Sequence, residues 1–164
     1  MKIVYFLEMS VWLAMAAIGF AKLFNVPKGS LIIAAVLAAI GGSCKLVLMH
    51  FGLHITLSTL IGAIVIGCLS IPAAHREHVP PLIFSIPAVI PMIPGVFAYE
   101  AMLGFLKLTS DLDLEIYQTV LNQTVNNGLK ALFILLALTA GVSFPMLISR
   151  KESAKNIHFN ASEK

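Results

Sequence analysis

At 164 residues, with 59% hydrophobic and only 12% charged side chains and a mean hydropathy of +0.93, the chain has too little polar surface to clothe a water-soluble globule. The composition is that of a polytopic membrane protein. A formal charge of +3, carried mostly at the ends of apolar runs and in the tail, reads as orientation information and not as a nucleic-acid footprint.

The first apolar run, Ile3 to Ala21, is interrupted only by Glu8 and Ser10. Lys2, the run itself and Ala14-Met15-Ala16 imitate a secretory signal, but a carboxylate in the middle of the core argues for a membrane span. The second, Leu31 to Met49, is apolar apart from Ser43 and Lys45, and the third, Ile55 to Ala74, carries no charge. His50 to His54 between them is short enough for a tight helical hairpin. Cys44 and Cys68 lie inside these runs, where a free thiol behaves as a small core residue.

The fourth run, from about Leu82 to Leu106, is long enough to cross a bilayer and has Glu100 as its only charge, yet it cannot be one unbroken helix. Pro87, Pro91 and Pro94 lie along one helical face, and each withholds the amide that the carbonyl four residues earlier would have used. The carbonyls of Ile83, Pro87 and Ile90 are therefore expected to be free. An unpaired carbonyl in hydrocarbon costs several kcal/mol, so this span must pack against protein or line a wet cavity. A broken span at membrane depth is also a pointer to a transport site.

Between the fourth and fifth runs, Ile116, Tyr117, Val120, Leu121, Thr124 and Val125 recur at helical spacing within 112–125, with Ser110 or Asp111 as N-cap. They predict a short amphipathic helix at the outer interface, followed by a corner at Asn126-Asn127-Gly128. The last span runs from about Leu129 to Ser149 and stops at Arg150-Lys151. Residues 151–164 read as a polar cytoplasmic tail without fixed structure, outside a transmembrane domain of residues 1–150. The expected fold is thus all-α: a membrane bundle of about five spans, one broken by proline, plus the interfacial helix.

With the N-terminus outside, the inner segments hold Lys22, Lys28, Arg76, Arg150, Lys151, Lys155 and Lys164, and the outer ones Lys2, Lys107 and Lys130. This excess puts the C-terminus in the cytoplasm and the 109–115 connection outside. In this topology Glu8, Lys45 and Glu100 lie about five, four and six residues from the outer ends of their spans, within the outer third of the bilayer at about 1.5 Å per residue. They can form one polar layer, with Lys45 and Glu100 as a pair; snorkelling of Glu8 and Lys45 is the alternative.

His50 and His54, four apart, and His75 and His78, three apart beside Arg76 and Glu77, have helical metal-ligand spacing, but at membrane boundaries they read as solvated histidines. No metal or cofactor site is expected, and no serine has a histidine and an acid at a common depth, so the chain does not read as an enzyme. Ser85 and Ser143 are expected to bond carbonyls of their own helices. Small residues at Ala34, Ala35, Ala38, Ala39, Gly41, Gly42, Gly62, Ala63 and Gly67 make smooth faces for close helix packing, an assembly signal that also admits self-association.

Gly19-Phe20-Ala21, Leu23-Phe24-Asn25-Val26-Pro27, Leu46-Val47-Leu48-Met49 with Gly52-Leu53 and Ser58-Thr59, and above all Ala88-Val89-Ile90-Pro91-Met92-Ile93-Pro94-Gly95 with Tyr99 and Ala101-Met102 resemble the bacterial threonine/serine exporter family. The likeness is to its C-terminal five-span half, in the form that exists as a separate small subunit, and covers the chain to about Arg150. It implies a bacterial inner-membrane exporter acting with a larger membrane subunit of the same family. The implied substrate is a small carboxylate-bearing metabolite, either threonine and serine or a dicarboxylate such as succinate.

Joined to the backbone reading, this places a site at the broken span, with Pro87, Ile90, Pro91, Pro94, Gly95 and Tyr99 as its residues. Amides after Pro94-Gly95 would hold a carboxylate, freed carbonyls would accept from an ammonium group or a coupling ion, and Glu100 would carry a proton. The competing reading is a non-transporting scaffold that stabilises a partner, with the prolines serving only to kink a helix for packing.

Overall fold

The apolar runs fold as helices because hydrocarbon leaves no other way to pair every backbone amide and carbonyl within one segment. A computed structural model describes the backbone of residues 2–110 and 113–160 and the side chains of 4–110 and 113–149. The helices are α1 (Lys2–Leu23), α2 (Leu31–His50), α3 (Ile55–Glu77), α4 (Leu82–Val89), α5 (Gly95–Leu108) and α6 (Leu114–Asn160), with short 3-10 turns at Lys28–Ser30 and Ile90–Met92. By length and composition α1, α2, α3 and α6 can each cross a membrane, and α4 with α5 makes a fifth, bent span.

Three helices end the same way. Asn25, Gly52 and His78 take left-handed backbone (φ 55°, 87° and 54°), and the amide of the next residue bonds back five positions, Val26 to Ala21, Leu53 to Leu48 and Val79 to Ala74, at 3.0 to 3.2 Å. This closure satisfies carbonyls that a helix end would leave open at the membrane boundary. The histidines are used locally. His54 caps α3 by accepting from the Thr56 amide at 3.4 Å, and the His75 ring meets the Ile71 carbonyl at 2.9 Å. Among the described residues no histidine, cysteine, aspartate or glutamate group could hold a metal ion.

Neighbours in sequence pack as neighbours in space: α1 on α2, α2 on α3, and α5 on α6, while α3 also packs on α6. Glycines set the closest approaches. A Cβ on Gly62 would come within 2.7 Å of the Gly41 carbonyl oxygen, and one on Gly141 within 2.9 Å of that of Leu60, so both contacts are backbone against backbone. The small-residue stripe on α2 and α3 is therefore used inside this chain. Helix α4 sits against α1, α2 and α3, and its Phe84 and Ala88, with Met92, are buried at the centre beside Leu37, Ala63, Ile66, Ile134 and Leu138. The proline-rich half-span is shielded by protein, as its missing amides require.

Three expectations change. Asn126-Asn127-Gly128 is no corner, since α6 runs through it unbroken for 47 residues, so residues 114–125 extend the last span and do not lie apart from it. The reason is α5: the Asn127 amide donates to Glu100 at 2.9 Å, Ala101 packs over Gly128, and Thr124 fits against Gly104. Side chains prone to open a helix are here occupied by its neighbour. The stretch Leu114–Ser149 has 36 residues, about 54 Å of helix against the roughly 30 Å of a hydrocarbon core. The tail is helical through Asn160 rather than unstructured. Ser85, buried completely, has no hydrogen-bond partner for its hydroxyl among the described residues, in contrast to the expected bond within its own helix.

Candidate functional site: the break between α4 and α5

The two halves of the fourth span meet at 55°. The 3-10 turn Ile90–Met92 tightens the end of α4, Ile93 swings to extended backbone (φ −60°, ψ 136°), and Pro94 (φ −80°, ψ 58°) leads into α5. The tightening takes up one carbonyl expected to be free: Ile90 accepts from the Ile93 amide at 3.0 Å. The Gly95 amide turns back onto the Ile93 carbonyl at 2.9 Å, and Ala98 donates to Pro94 at 3.1 Å. What the break releases lies further along. The Met92 carbonyl sits at the extended step, where no helical amide returns to it, and the Lys45 ammonium donates to it at 3.3 Å.

Lys45 therefore does not pair with Glu100. It reaches the broken span from α2, and Glu100, on α5, turns the other way to Asn127 of α6. Glu8 is exposed on α1, where Ser10 bonds Ser43 of α2 at 2.6 Å one half-turn further along. The single charge layer is thus three separate positions. Gly62 is what lets Lys45 arrive, because a Cβ there would come within 3.3 Å of the Lys45 Cβ and 2.9 Å of the Met92 methyl carbon.

Of the residues expected at the site, Pro91, Pro94 and Gly95 flank the Met92 carbonyl; Pro87 is buried in α4, and Tyr99 projects outward from α5, 64% exposed. The first turn of α5 has no side-chain cap, and a Cβ on Gly95 would meet nothing within 4 Å. The break thus presents open space, uncapped backbone and one cation. A separate cleft of about 300 Å³ lies between α5 and α6, lined by Glu100, Gly104, Lys107, Gln123, Thr124 and Asn127. Sequence reasoning missed Met92 because it looked four residues before each proline; the extended step at Ile93 moves the free carbonyl two residues past Ile90.

The described residues hold five apolar spans at most, one of them broken, and the family model for "Threonine/Serine exporter, ThrE" matches residues 9–148. The chain belongs to the threonine/serine exporter family. This exporter-family chain is 35% identical over 135 residues to an uncharacterized protein of Haemophilus influenzae, an alignment covering 82% of this chain and 44% of that relative. The match therefore spans less than half the length of that curated relative. No solved structure matches the chain. Membership makes it a membrane protein of a transporter family, as the resemblance implied, and the broken span lies within the matched region.

Proposed function

We infer that the chain is the small subunit of a bacterial inner-membrane exporter of small carboxylate-bearing metabolites, working with a larger subunit of the same family, and that the substrate passes the α4–α5 break. The observation that carries this reading is the break itself: a buried half-helix, a 55° turn and a lysine that reaches its released carbonyl from another helix. A packing kink needs neither a first turn of α5 without a side-chain cap nor a lysine at the released carbonyl. Threonine, serine and dicarboxylates such as succinate share the carboxylate that such a site would hold. A larger partner is supported by the Haemophilus influenzae relative, in which this half is joined to more than its own length of further chain. The exposed Glu8 on an apolar helix gives such a partner a charge to meet. Glu100, in the cleft against α6, is the group suited to carry a proton.

Counterflow of labelled succinate and labelled threonine in proteoliposomes, with this chain alone and with the larger subunit, tests the reading. Flux that needs both chains is expected; flux from the larger chain alone would make this one a scaffold. Orientation is tested by single cysteines in a Cys44→Ser, Cys68→Ser background. Glu115→Cys is expected to label from outside intact cells and Lys155→Cys only after permeabilisation, and the reverse pattern would invert the topology.

A further inference from the structure

Lys45 brings a primary ammonium into a membrane span, and its hydrogen bond there goes to a neutral acceptor, the Met92 carbonyl, at 3.3 Å. An ammonium has three donors. Among the described residues no carboxylate is bonded to it: Glu100 is engaged by Asn127, and Glu8 is exposed on α1. A cation at membrane depth with a long bond to a neutral group and donors unused is underserved, and the partner it lacks is an anion. Its place is fixed by backbone contacts, since Gly62 and Gly41 hold α2 and α3 together directly beneath it. Three residues past Met92, Gly95 is exposed, and a Cβ there would meet nothing within 4 Å, so the end of the break is accessible from outside the bundle.

We propose that Lys45 determines substrate specificity by binding the carboxylate of the transported molecule, exchanging the Met92 carbonyl for it as the molecule lodges at the break. This rests on the exporter reading above and assigns the group that selects an acid over its uncharged counterpart. The exchange replaces a neutral acceptor with a charged one, and it frees the tether between α2 and the released end of α4's 3-10 turn. Substrate binding and the geometry of the break are then one event. A net negative or zwitterionic substrate engages Lys45; a molecule whose acid groups are amidated does not.

The test is uptake into inverted membrane vesicles from the native host, its own copy deleted and each variant of the full chain restored, with labelled succinate and labelled threonine as probes and succinamide as unlabelled competitor. For the probe that the wild type transports, Lys45→Met is expected to raise KM about tenfold or more, the loss of one charge-assisted bond, while Lys45→Arg stays close to wild type. Succinamide is expected not to compete. Should Lys45→Met fail to reach the membrane, Lys45→Cys in a Cys44→Ser, Cys68→Ser background is treated after folding. An ethylammonium thiosulfonate should restore uptake and a neutral ethyl reagent should not. A wild-type KM in Lys45→Met, or equal rescue by both reagents, would overturn the assignment while leaving the break as the route. Wild-type vesicles that take up neither probe would overturn the carboxylate reading and this proposal together.

Discussion

The carboxylate of Glu100 accepts a 2.9 Å hydrogen bond from the side-chain amide of Asn127, across the interface of α5 and α6. That bond removes Glu100 from Lys45 and holds α5 against α6. A double-mutant cycle separates these relationships. Glu100→Gln with Asn127→Leu should show a coupling of about 0.5 to 1.5 kcal/mol in detergent unfolding. Glu100→Gln with Lys45→Met should be additive within about 0.5 kcal/mol, since the two share no partner. A strong coupling in the second cycle would return Glu100 to Lys45.

Gly104 governs the same interface. A Cβ there would overlap the Thr124 side chain, whose hydroxyl already bonds the Val120 carbonyl at 2.6 Å. Gly104→Ala should therefore push α5 off α6 and lower stability by about 1 to 3 kcal/mol, as overpacking does. Thr124→Ala in the same molecule removes the Oγ1 and Cγ2 contacts and leaves the Cβ at 2.9 Å, so thermal unfolding should recover in part. Full tolerance of Gly104→Ala would mean that α5 rides free of α6.

The spans themselves were legible because hydrocarbon enforces them: α1, α2, α3, the bent pair and the last helix all stand where apolar runs of sufficient length predict. The break was legible for the same reason that proline cannot donate. The continuous α6 was not, because Asn127 and Gly128 signal a corner locally and only the arrival of Glu100 and Ala101 from α5 overrides them. Nor was the partner of Lys45, since which carbonyl goes free depends on whether the chain tightens into a 3-10 turn before it breaks, a choice made by packing of Met92 under Gly62.

Ser85 carries a measurable penalty. Its hydroxyl is wholly buried in α4 with no partner among the described residues, so the desolvation of the oxygen is uncompensated. Ser85→Ala should raise stability by about 1 kcal/mol with no change in transport, read as a higher midpoint of thermal unfolding. A drop in export with raised stability would instead make the hydroxyl part of the route.

The prolines decide between a site and a kink. Pro91→Ala restores an amide able to bond the Pro87 carbonyl, and Pro94→Ala one able to bond Ile90, whose present partner is the Ile93 amide in the 3-10 turn. The double replacement should draw the 3-10 turn into a continuous helix, reduce the 55° bend and close the released Met92 carbonyl with a backbone amide. Lys45 would lose its acceptor, and α5 its separate first turn. Thermal stability should hold or rise, because the replaced positions regain backbone bonds, while export falls to the level of cells lacking the chain. Export at the wild-type rate with a straightened span would show that the prolines serve packing alone and that the substrate crosses elsewhere than at the α4–α5 break.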